Sequence, residues 1–85
     1  MKTRVAVISI IIENVESVGE VNSLLFSYRD YVIGRMGIPY REKKLNLISI
    51  AIDAPEDVIN ALCGKLGRLA GVSAKANYSN VSSES

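Results

Sequence analysis

Histidine is absent from the 85-residue chain, and cysteine occurs once, at Cys63. These shortages exclude most site chemistry. Zinc and related centres draw on clustered His, Cys or carboxylate ligands, so no metal site and no cofactor are expected. Ser9 and Ser49 have no imidazole to take their protons, which excludes a serine triad. No nucleophile–base pair or catalytic carboxylate pair can be placed either, so the expectation is a protein that is not an enzyme. A single thiol cannot close an intrachain disulfide, which fits a reducing cytoplasm. Excess charge is lacking too. Ten basic residues against nine acidic give a net charge of +1, unlike a stand-alone nucleic-acid binder.

No apolar run is long enough to span a membrane. Val5 to Ile12 stops at Glu13 and has no small-residue cleavage site behind it, so it reads as a strand of a soluble protein. What the chain has in abundance is apolar surface. The apolar share is 48%, although a domain this short buries only roughly 60–65% of its unfolded surface. Such a surplus often belongs to an interface.

The pattern gives one domain over residues 1–78 and a flexible polar tail over 79–85. Residues 3–13 and 45–53 are Val-, Ile- and Leu-rich on both alternating faces, as in central strands covered twice. Between them, Val18, Val21, Leu25, Tyr28 and Val32 recur at helical spacing over about 17–30. "SVGE" at Ser17 to Glu20 has the spacing of a capping box. Residues 31–38 read as a strand weakened by Gly34 and Gly37, with Pro39 in the following turn. Asp53, Pro55 and Glu56 start a second helix with a stripe of Val58, Leu62, Leu66 and Leu69, ended by Gly71. Residues 72–78 alternate as a last strand. Two right-handed βαβ crossovers then give an α+β, ferredoxin-like βαββαβ sandwich, a four-stranded antiparallel sheet with two helices on one face.

An uncovered face of such a sheet should be polar. With Ile8, Ile10, Ile12, Ile48, Ile50 and Ile52 toward the helices, Val5, Val7, Ile11, Leu45, Leu47 and Ala51 stand outside. Together they make a patch of several hundred Å², large for a monomer. Covering it at about 25 cal/mol per Å² yields several kcal/mol before association costs. A homodimer or larger even assembly is expected, packed sheet against sheet. Edge-to-edge pairing is the alternative. Neither central strand carries an aromatic residue, so this is not a base-stacking platform for RNA.

Two further stretches are candidates. On the second helix, Gly64 and Gly67 fall opposite the Leu stripe, where they either admit a partner closely or are tolerated at a surface. Phe26 also faces away from its helix's core stripe. "GRMGIPYREKK", residues 34–44, is read two ways: as a hairpin with solvated charges, or as a ligand site. In the second reading Arg35, Gly37, Pro39, Tyr40 and Arg41 would hold an anion or carboxylate. "GRMGI" is similar to the phosphate cradle of acylphosphatases, but that cradle precedes the first helix, where "ENVES" has no arginine. That reading is rejected.

With "RMGIPYREK", "VNSLL" and "GKLGRLAGV" in place, residues 3 to about 76 resemble the iron-only hydrogenase system regulators, an ACT-like group of ferredoxin-like domains. Arg35, Gly37 and Pro39 carry the most specific part of the likeness. The resemblance implies an oligomeric, ACT-like regulatory module acting in hydrogenase expression or maturation, with a small-molecule effector or a protein partner of that system. It brings no catalytic or metal residues. The nickel-sensing ACT-like branch uses histidines that this chain lacks. Without a helix-turn-helix, transcriptional control would pass through a partner protein.

Overall fold

The computed structural model describes residues 2–84. Six elements follow in order: β1 (Lys2–Ile12), α1 (Val18–Ser27), β2 (Val32–Tyr40), β3 (Leu45–Ala54), α2 (Glu56–Gly67) and β4 (Val72–Glu84). The strands form one antiparallel sheet in the order β2-β3-β1-β4. This is the expected ferredoxin-like, ACT-like α+β sandwich, with both helices on one face. Among the described residues no helix is long and apolar enough to cross a membrane.

The isoleucine registers do face the helices. Ile8 pairs with Ile50 and Ile10 with Ile48 at the sheet's centre. With Ile12 and Ile52 they are buried against Val21 and Leu25 of α1 and Ile59, Leu62 and Leu66 of α2. Each such side chain contributes about 1.5–3 kcal/mol relative to exposure. Ile59, one position beyond the expected Val58, is the fully buried residue at the start of the α2 stripe.

A bulge sets the facing of β2. Val32 pairs with Ile52, yet Gly34 pairs with Ala51, so Ile33 is one extra residue on β2. An extra residue reverses the side-chain alternation that follows it. Met36, Ile38 and Tyr40 consequently share the open face with Ser49, Leu47 and Leu45, while Arg35, Gly37 and Pro39 fall on the helix side. The bulge adjoins Gly34, as glycine in a strand suggests, whereas Gly37 sits in regular ladder. Pro39 lies within β2 opposite Asn46, not in the turn. An edge strand tolerates its missing donor. The reversal is made by residues 41–44, with Lys44 left-handed at φ 55°.

The first helix starts without the expected capping box. Ser17 makes no side-chain cap; its hydroxyl donates to the Ala70 carbonyl at 2.6 Å, tying this end of α1 to the loop after α2. Asn14 accepts from the Glu16 N–H instead. Asp53 does not cap α2 either, because β3 continues to Ala54 and Pro55 precedes the helix. α2 ends at Gly67, leaving Gly71 to make the reversal into β4 at φ +68°.

The expected tail from residue 79 instead continues β4. Arg4 pairs with Ser82, Thr3 with Ser83 and Lys2 with Glu84, after an irregularity between Arg4 and Ala6. Ladder hydrogen bonds are made by the backbone, so a polar sequence can extend a strand that apolar patterning would end. Ser85 lies outside the described residues.

Candidate functional site

Three surfaces hold the residues singled out by the sequence. The first is the open face of the sheet. Reading across the strands, Ile11, Leu47 and Ile38 form one row, with Ser9, Ser49 and Met36 beside it and Val7, Ala51 and Gly34 beyond. Val7, Ile11, Met36, Ile38 and Tyr40 are exposed at 40–59% of their surface. Leu45, Leu47, Ala51 and Val5 are half-buried by these neighbours. On β4 the same rows end in Ser73, Lys75 and Asn77. Apart from Ser9 and Ser49, the surface is thus apolar across three strands with a polar border on the fourth, the anatomy of an association surface.

Met36 and Ile38 escaped the sequence reading. Their alternation with Tyr40 is visible, but which face they occupy is decided by one extra residue at Ile33.

The second surface surrounds β2 and its hairpin, and there the expected ligand residues separate. Tyr40 belongs to the open face, where its hydroxyl donates to the Glu42 carboxylate at 3.4 Å. Pro39 and Arg41 line a groove with Val15, Lys44, Leu45 and Asn46 at the turn end of the hairpin. Arg35 stands apart from them. It donates to the Asn22 side-chain carbonyl of α1 at 2.9 Å and borders a different groove between α1 and β2. No backbone or side chain closes on the glycines, since a Cβ at Gly34 or Gly37 would meet nothing within 4 Å. The five residues do not converge on one point.

The third surface is the outer side of the helices. Gly64 and Gly67 are exposed, and a Cβ on either would enter open space. Phe26 is exposed as its position suggests, with the Arg29 guanidinium 4.1 Å above its ring. Lys65 of α2 donates to the Tyr28 hydroxyl at 2.9 Å, joining the two helices on this side.

Of the groups with chemistry to offer, Cys63 is half-buried in α2, and desolvation pushes its thiol above the usual range. A thiol kept protonated is a poor nucleophile. Tyr78 is likewise raised, chiefly by desolvation and then by the Glu56 carboxylate. Its hydroxyl donates to Asn60 at 3.0 Å under the Arg4 guanidinium.

The model of the TM1266-like family, described as "Iron-only hydrogenase system regulator, putative", matches residues 4–76. Among solved structures, the uncharacterized protein TM1266 from Thermotoga maritima superposes with a TM-score of 0.86 at 30% identity, covering 89% of this chain and 96% of that one. A formyltetrahydrofolate deformylase from Pseudomonas putida KT2440 superposes with a TM-score of 0.65 at 16% identity. That match covers 91% of this chain and 29% of the deformylase, and it shows the fold alone. No curated protein matches the chain.

Proposed function

The chain belongs to the TM1266-like family, and from that premise we propose that it is a non-catalytic regulatory module of an iron-only hydrogenase system. It works in the cytoplasm as a homodimer packed through the open faces of its sheets, and it responds to a small ligand beside the β2–β3 hairpin. The observation that carries the reading is the exposed apolar set Val7, Ile11, Met36, Ile38 and Tyr40 on one uncovered sheet face. A surface of that kind, unpaired, is a liability for a soluble monomer. A second copy offers the same rows, and a two-fold axis through a patch lets it cover itself.

Native mass spectrometry of the protein purified from its own host tests the reading. A dimer carrying a reproducible small-molecule adduct is expected. A bare dimer would favour a second reading, an assembly module without a ligand. The open space outside Gly64 and Gly67 supports that reading, because a partner backbone could approach α2 closely there. A bare monomer would contradict both.

A further inference from the structure

The ligand-responsive reading leaves open where a ligand would sit and what it would be. The geometry points to the groove between α1 and the β2 edge, with Arg29 and Arg35 as its anion-binding residues and Phe26 as its wall. The ligand class is a small molecule with a flat apolar body and a carboxylate or phosphate group. This inference rests on the ligand-responsive reading and gives it a site.

The groove encloses about 360 Å³, within the range of small-ligand sites. Buried Leu25 of α1 and Ile50 of β3 contribute its apolar floor. Two guanidinium groups stand at its border, and each is held by a neutral partner. Arg35 is fixed by the Asn22 side-chain carbonyl at 2.9 Å. Arg29 lies over the Phe26 ring and donates to the Phe26 carbonyl at 3.0 Å.

Among the described residues the one ion pair is Arg4–Glu56, so neither arginine is neutralised. Asp30, next in sequence to Arg29, pairs with neither. Each guanidinium carries five N–H donors, and one local bond leaves the others for a ligand. Side chains already oriented lose less freedom when an anion arrives, and charge-assisted bonds to arginine are the strong ones. Phe26, costly to leave in water, has the ring face that Arg29 does not cover for the flat body of the ligand. The groove lies on the helix side of β2, so a dimer packed through the opposite face leaves it open.

The bulge at Ile33 is what brings Arg35 here. Were Ile33 paired in regular ladder instead, Arg35 would point to the open face, away from Asn22.

The test is an NMR titration of the isotope-labelled full chain with phenyl phosphate, benzoate and neutral phenol. Saturable shifts at the Asn22 side-chain amide and the Val32–Arg35 backbone are expected with one or both anions and not with phenol. The stronger of the two anions identifies the acid group. Arg29→Gln and Arg35→Gln should each weaken that binding about tenfold or more with the fold's melting unchanged. Equal shifts with phenol, or binding indifferent to both substitutions, would overturn the assignment. Shifts centred on Arg41 and Lys44 would also overturn it while leaving the ligand-responsive reading in place. No saturable shift with either anion would overturn the groove and its ligand class, while an adduct on the native protein decides the broader reading separately.

Discussion

Met36 of β2 stands directly opposite Ser49 of β3 on the face of the sheet that no helix covers. That placement depends on Ile33, the extra residue two positions before Arg35. Counting strictly by twos from Val32, Met36 would point to the helices and Arg35 to the open face. By taking Ile33 out of the ladder, the bulge keeps Met36 on the apolar patch and Arg35 beside Asn22.

Deleting Ile33 is expected to remove the bulge and keep the facing, because Gly34 then follows Val32 directly and pairs with Ala51 as before. The fold should change by less than about 1 kcal/mol, read from urea unfolding. Deleting Gly37, which sits in regular ladder, should cost about 2–4 kcal/mol, because Ile38 and Tyr40 would then turn toward the helices. Equal losses would show that the bulge has no special role.

Gly71 should be the least replaceable glycine. It holds φ +68°, and a Cβ there would lie 2.7 Å from the Asn14 Cβ and 2.9 Å from the Asn14 nitrogen. Its carbonyl also accepts the Glu13 N–H at 2.7 Å, so the contact has no room to relax. Gly71→Ala is expected to destabilise by about 2–3 kcal/mol. Gly64→Ala, in a helix and facing open space, should instead stabilise by up to about 1 kcal/mol.

Ser17 ties α1 to the loop after α2 through its 2.6 Å bond to the Ala70 carbonyl. Ser17→Ala should cost about 1 kcal/mol, with helix content unchanged because no side-chain cap is lost. A fall in helicity instead would restore the capping box.

Cys63 should resist alkylation. Its raised pKa means less thiolate at a given pH than an ordinary cysteine, so iodoacetamide should react more slowly than with free cysteine. The same shift has a linkage sign. The folded state keeps the proton longer than the unfolded state, so this contribution is fully present below the ordinary value of 9.0 and is lost as pH rises through the raised native value. Alkaline unfolding of the wild type should accordingly begin earlier than that of Cys63→Ala, once their stabilities at neutral pH are subtracted.

The sandwich was legible because two strands and two helices carry strong periodic patterns. Ile8, Ile10 and Ile12 mark a face by themselves, and Ile48, Ile50 and Ile52 mark its partner. Boundaries failed where backbone decides and side chains do not. The residues after Tyr78 are polar, yet a ladder needs only N–H and C=O groups, and β4 runs on to Glu84. Ser17 has the composition of a cap but finds a closer acceptor in a loop fifty-three residues away, which no local pattern contains. Facing along β2 was hidden in the same way, because a bulge has no apolar signature. The expected cluster of Arg35, Pro39, Tyr40 and Arg41 consequently divides among separate surfaces.

The central claim is association through the open face, and sedimentation equilibrium of the wild type and Ile11→Lys tests it most directly. Ile11 is 41% exposed beside Leu47, so a lysine there costs the isolated fold little. In a two-fold sheet-to-sheet dimer it would place unpaired charges within an apolar interface. A dimeric wild type at micromolar concentration and a folded monomeric variant are expected. A monomeric wild type, or a variant that remains dimeric, would contradict association through the open face.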